Sequence, residues 1–247
     1  MDTNRILDKL DLYLSKNDYD GAFRHLKYWF EEANSSNDLR SKLLICNELI
    51  GLSRKTGKES QTFLYTQTAL ETLSALDMEK SVTAATTYIN VATAYKAFNR
   101  AEESIPLFGK ALEIYEKYLD STDGRLGGLY NNLALSLVDL KKFNDAHAYY
   151  QKAISVMEHS QNGELEQAIT YLNIASALEA EKGLLEADME ISECISKASS
   201  LLDVHAKSED GYYAFVCEKC ATVFGYYGYF MYENELKERA RKIYERT

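Results

Sequence analysis

Apolar residues recur along this chain with the spacing of one helix face, and they do so in copies. Tyr88, Val91, Ala92 and Tyr95 are spaced 3, 1 and 3. Tyr130, Leu133, Ala134 and Leu137 repeat that spacing, and Tyr171, Ile174, Ala175 and Leu178 repeat it again. Steps of three and four keep side chains on one side of a 3.6-residue helix. An Asn follows each leading Tyr by two positions, at Asn90, Asn132 and Asn173. A second stripe comes after each copy: Ser104, Phe108 and Ala111, then Ala146, Tyr150 and Ala153, then Ala187, Ile191 and Cys194. Small, large, small at spacings of 4 and 3 lets two helices approach closely while the bulky side chain fills the groove between them.

The copies are offset by 42 and 41 residues, and weaker ones extend both ways. Upstream, Cys46, Leu49 and Ile50 precede Thr62, Thr66 and Ala69; before them Ile6, Leu10 and Tyr13 precede Ala22, Leu26 and Trp29. Downstream, Cys217, Cys220, Ala221 and Phe224 precede Ala240, Ile243 and Tyr244. The pattern predicts one all-α domain over 1–247, built of six helix-turn-helix units at approximately 3–42, 43–84, 85–126, 127–167, 168–213 and 214–247. STDG at 121–124 and SQNG at 160–163 are connectors whose Gly and Asn suit helix ends. Pro106 is expected near the start of its helix, where a missing backbone donor costs little and produces a slight bend.

Composition narrows the function. Twelve Gly and one Pro in 247 residues are too few for a turn-rich β fold. A net charge of −10 argues against binding along a nucleic-acid backbone. Four Cys do not make a disulfide framework in a chain this long. The opening MDTNRILDKLDLYLSKND mixes charges among its apolar positions, unlike a secretory leader, and no run approaches 18 apolar residues. These features predict a cytoplasmic protein without a membrane partner.

The paired stripes, an aromatic, an aliphatic and Ala in the first helix followed by A-x-x-x-[F/Y]-x-x-A in the second, resemble tetratricopeptide repeats. With YxN(L/I/V)A and a period near 42, the chain is similar to the longer-repeat subclass of kinesin light chains and of bacterial Rap-type peptide-sensing regulators. The resemblance is specific over 85–195 and looser over 3–84 and 214–247. It implies a right-handed superhelical solenoid whose first helices line a concave groove, and a non-catalytic protein that binds an extended peptide or protein segment there. Two departures stand out: the first-helix aromatic slot holds Tyr or Cys where Trp is common, and no Pro closes a repeat.

By that resemblance, the groove candidates lie beside the buried stripe of each first helix: Thr86, Asn90, Thr93 and Lys96, then Asn132 and Asp139, then Asn173, Ser176 and Glu179. Arg54 and Glu48 flank them. Axes about 8–10 Å apart and a ligand advancing at most about 3.3–3.6 Å per residue would set one Asn against roughly three ligand residues. Two readings of the Asn series stand: its amides contact a ligand backbone, or they bond neighbouring helices. A related clamp for C-terminal carboxylates needs Lys and Arg, whereas the slots beside Asn90 hold Leu7, Asp11, Gly128 and Asn132.

Catalytic chemistry finds little support. No phosphate loop, nucleophile elbow or HExxH motif occurs. Cys217 and Cys220 form a lone CxxC in core slots, and four scattered His lack partners at motif spacing, so neither a metal nor another cofactor is expected. The C-terminal FGYYGYFMYENE is a separate case: a helix pair cannot bury aromatics on every side, so Tyr226, Tyr227, Tyr229 and Tyr232 are candidates for a partner or self-association surface. Glu233 and Lys237 sit in slots usually small or apolar, which suits a polar terminal cap. Two alternatives accompany the scaffold reading: a peptide-responsive regulator acting through a partner protein, and an assembly protein joining through that tyrosine-rich end.

Overall fold

A computed structural model describes residues 1–246, and every regular element among them is an α-helix. The chain divides into two compact units, Met1–Leu119 and Asp120–Thr247. The first unit contains α1 (Thr3–Leu14), α2 (Tyr19–Ser35), α3 (Leu39–Lys55), α4 (Glu59–Ala75), α5 (Val82–Ala97) and α6 (Ala101–Tyr118). The second contains α7 (Gly124–Asp139), α8 (Phe143–Met157), α9 (Gly163–Lys182), α10 (Asp188–Val204), α11 (Gly211–Tyr226) and α12 (Phe230–Tyr244). Odd-numbered helices pack on the even-numbered helix that follows, giving three hairpins in each unit. Successive first helices also touch: α3 meets α5, α7 meets α9, and α9 meets α11.

The repeating stripes are the seams of these hairpins. Ala92, Ala134 and Ala175 are fully buried, as are Phe108, Ala111, Tyr150 and Ala153 facing them from the second helices. Alanine at a crossing brings two backbones close, and the neighbouring ring fills the space left beside it. The weaker copies obey the same rule: Ile6, Leu10, Cys46, Leu49, Cys217, Cys220 and Phe224 are all buried.

Turn chemistry sets the hairpin ends. Left-handed residues follow the ends of most helices, at Asn17, Asn37, Gly57, Asp77, Asn99, Lys141, Gly183 and Gly228, and Asn162 takes the same conformation at the start of α9. Asn, Asp and Gly tolerate that conformation, and Lys141 is the costly exception. Asp18, Asp38, Ser81, Asp123 and Asp210 then accept from backbone N–H groups of the next helix, at 2.8–3.1 Å. Such caps contribute about 1 kcal/mol each.

Pro106 lies in the second turn of α6, farther in than the sequence suggests, because α6 begins at Ala101. The helix continues through it. Both Pro106 and Glu102, whose carbonyl loses its usual donor, are on the exposed face, where water can bond that carbonyl.

Candidate functional site

The Asn side chains on the first helices form two separate bonds, one per unit. In the first unit, Asn90 Nδ2 on α5 donates to Asn47 Oδ1 on α3 at 3.0 Å. Asn47 Nδ2 in turn reaches Thr87 Oγ1 at 3.0 Å and the Leu43 carbonyl at 3.1 Å. In the second unit, Asn173 Nδ2 on α9 donates to Asn131 Oδ1 on α7 at 3.0 Å. Asn131 is only 7% exposed. The acceptors therefore occupy the position immediately before the recurrent Asn, a slot filled by Ile89 and Leu172 in the other copies. Asn132 is half-buried, and its amide makes no hydrogen bond among the described residues. Sequence reading missed Asn47 and Asn131; the signal available was a polar residue in an otherwise aliphatic slot.

The second unit brings two groups of candidates together. Glu179, near the end of α9, accepts from Tyr226 Oη at 2.6 Å and from Tyr227 Oη at 2.8 Å, one on each carboxylate oxygen. The two tyrosine rings stand nearly perpendicular, 81° apart with centroids at 5.0 Å. Near the other end of the same two helices, Tyr212 on α11 donates to Glu166 on α9. With carboxylates 13 residues apart on α9 meeting tyrosines 14 apart on α11, these helices run parallel and are tied at both ends.

Beside the Glu179 tie lies an open cleft of about 340 Å³, lined by Ser176 and Glu179 from α9 and by Thr222, Val223 and Tyr226 from α11. Ser176 is exposed there and donates to the Leu172 carbonyl at 3.2 Å. Burial, then the Glu179 bond, drives the Tyr227 hydroxyl well above its ordinary range; the Glu179 bond does the same for Tyr226. Both hydroxyls therefore stay protonated and act as donors at neutral pH. No Lys or Arg pairs with Glu179 among the described residues.

The remaining candidates are dispersed. Thr86 is exposed on α5, 3.0 Å from Tyr115 Oη, and Thr93 donates to the Ile89 carbonyl at 2.7 Å. Lys96 is half-buried in the last turn of α5, and Asp139 is exposed at the end of α7. Glu48 and Arg54 are half-buried on α3, and Arg54 Nε has no hydrogen-bond partner among the described residues. Tyr232 is held inside its unit, donating to Asp203 Oδ1 at 2.8 Å, while Arg239 bridges Asp203 and the Tyr213 hydroxyl. Tyr229 is exposed at the turn between α11 and α12, next to the exposed Phe230 and Met231.

The four cysteines are unpaired and buried. Burial pushes the thiols of Cys46 and Cys220 up to about 12 and that of Cys194 up to about 11, so they remain protonated. Among the described residues no three His, Cys, Asp or Glu side chains come together as a metal site would require, and no helix is long and apolar enough to cross a membrane.

Comparison with known proteins agrees with this geometry. A family model described as a tetratricopeptide repeat matches residues 84–123 and 127–160. No curated protein matches the chain by sequence. Among solved structures, BtubC (BKLC) from P. vanneervenii is 18% identical with a TM-score of 0.67, over 82% of this chain and 80% of that one. The nearly identical TPR-like repeats of a Podosopora anserina kinesin light chain are 16% identical with a TM-score of 0.54, over 82% of this chain and 94% of that one. A Rap protein complexed with competence and sporulation factor is 13% identical with a TM-score of 0.56, over 96% of this chain and 73% of that one. By sequence the central repeats match the tetratricopeptide repeat family, and the wider helix-pair architecture is similar in fold to kinesin light chain-like and Rap proteins.

Proposed function

We propose that this protein is a non-catalytic scaffold that binds an extended peptide or protein segment on the face formed by its first helices, and that in the second unit the segment lies in the α9–α11 cleft. The observation that carries the reading is the cleft itself: an open, largely apolar trough between two parallel first helices, with a carboxylate fixed in its wall. A preformed wall reduces the ordering cost of docking, and the exposed Tyr226 ring supplies rigid apolar area with a polar tip. The Rap protein, seen with competence and sporulation factor, shows that a similar fold accepts a ligand. Four unpaired cysteines support a cytoplasmic setting.

Asn90 and Asn173 each commit one amide N–H to Asn47 and Asn131, which supports a role in the scaffold for these two. Asn132, with its amide unspent, is the member of that series suited to a ligand contact.

The test is binding of labelled degenerate nonapeptide pools to the wild type and to Thr222→Trp, which fills the cleft from an exposed helix position. The reading expects binding by the wild type that the filled variant loses. Equal binding by both would remove the cleft from the site.

A second reading, self-association through the tyrosine-rich end, is favoured by one observation. Tyr226, Phe230 and Met231 are 68%, 63% and 90% exposed around a single turn. Exposed apolar side chains gathered in this way mark contact surfaces.

A further inference from the structure

We infer that the α9–α11 cleft selects a segment carrying a Lys or Arg, whose cationic group seats on the Glu179 carboxylate. The inference rests on the peptide-binding reading above and names the chemistry that the cleft recognises.

Glu179 is held in place before any ligand arrives. Its two oxygens each accept one tyrosine hydroxyl, at 2.6 and 2.8 Å. An ionised carboxylate has about four acceptor positions, so roughly two remain, and the group lines the cleft. Tyrosine hydroxyls orient the carboxylate without neutralising it. The negative charge is thus fixed in position and uncompensated.

The charges around it are already committed. Lys182, three residues on in α9, is bound to Glu190 at 2.7 Å, and Glu181 is bound to His147 at 2.8 Å. On α11, Lys219 and Glu218 are exposed but do not line the cleft. An incoming ammonium or guanidinium therefore meets a carboxylate with no competing internal cation. The exposed Tyr226 ring beside it adds a face for cation–π attraction, and Val223 and Thr222 receive the aliphatic stem of the same side chain. An acidic residue in that place would face the Glu179 charge, which disfavours it.

Glu166 makes the contrast within the same helix pair. It also accepts from a tyrosine of α11, but it does not border the cleft. Its bond ties the same two helices away from that cleft.

The experiment uses labelled nonapeptide pools, degenerate except at the central position, which is Lys, Arg, Gln or Glu. Binding is measured by fluorescence polarisation at about 0.15 M salt, where long-range charge effects are screened, against the wild type and Glu179→Gln. The inference expects the Lys and Arg pools to bind the wild type roughly tenfold more tightly than the Gln pool, since Gln donates a hydrogen bond to the carboxylate without the opposite charge that strengthens it. It also expects the Glu pool to bind most weakly, and Glu179→Gln to bind the Lys, Arg and Gln pools alike. Circular dichroism and a melt of Glu179→Gln confirm that the variant is folded. Tight binding with no preference at the centre, or a preference that survives in Glu179→Gln, overturns the cationic seat while leaving peptide binding intact. Absence of binding by every pool overturns both.

Discussion

Asn173 on α9 donates to Asn131 on α7 at 3.0 Å, and Asn131 has almost no exposure to water. An amide buried between helices must find a partner, because leaving it bare costs about 1–3 kcal/mol. The pair therefore fixes the rotation of two neighbouring first helices as well as their distance. Asn90 and Asn47 do the same for α5 and α3.

Asn173→Ala should accordingly lower stability by about 1–3 kcal/mol by stranding the buried Asn131 Oδ1, and Asn90→Ala by the lower part of that range, since Asn47, whose Oδ1 is stranded there, is only half-buried and within reach of water. Asn132→Ala, which breaks no bond, should stay within about 0.5 kcal/mol of wild type. Urea unfolding of the three variants measures this. An Asn132→Ala loss as large as that of Asn173→Ala would contradict the pairing.

A pH-dependent effect follows from Glu48 on α3. Burial, and then the nearby Asp11, hold its carboxyl above the ordinary carboxylate range, and no cation pairs with it among the described residues. An acid whose folded-state pKa is raised destabilises the fold at pH values above that pKa. The penalty vanishes once pH falls below the unfolded value of about 4.3, where the group is neutral in both states. Glu48→Gln should therefore raise Tm at pH 7 to 8, and the gain should disappear near pH 4. A gain that persists at pH 4 would assign it to another cause.

Gly163, the first residue of α9, is required by close approach rather than by its dihedrals. A Cβ there would lie 1.7 Å from the Met157 carbonyl oxygen, a backbone atom that cannot swing aside. Gly163→Ala should destabilise the second unit even though alanine is the better helix former. Gly109→Ala, in the interior of α6 with nothing near the new methyl group, should stabilise by about 0.5–1 kcal/mol. Thermal melts of both variants give opposite signs if this is correct.

Most of the architecture was legible in the chain. The 3, 1, 3 spacing and the small–large–small stripes identified most of the buried seams, with Tyr95 and Tyr171 only half-buried, because helical periodicity depends only on local geometry. The partner of a side chain on a neighbouring helix is less visible. It depends on a rotation of a few tens of degrees, enough to make Asn131, and not Asn132, the acceptor from Asn173. The meeting of Glu179 with Tyr226 and Tyr227 was hidden for a similar reason. The repeat pattern weakens after residue 213, so the register of α11 against α9 could not be read, and a groove residue and an end-surface residue became one site. Pro106 illustrates the residual uncertainty of helix starts, which depend on caps that propensity locates only to within a turn.

Self-association, if it occurs, runs through the turn between α11 and α12. Phe230→Ser with Met231→Ser should then abolish any concentration dependence in sedimentation velocity without changing Tm by more than a degree or two, because both side chains are exposed. Association that survives in the double variant would place the contact elsewhere.

The central claim, that ligands lie on the first-helix face of the second unit, is tested most directly by hydrogen exchange with and without a bound nonapeptide pool. The account predicts slowed exchange in the later turns of α9, around residues 172–182, and of α11, around 216–227, with α10 and α12 unchanged. Protection confined to the second helices, or distributed evenly over all of them, would contradict it.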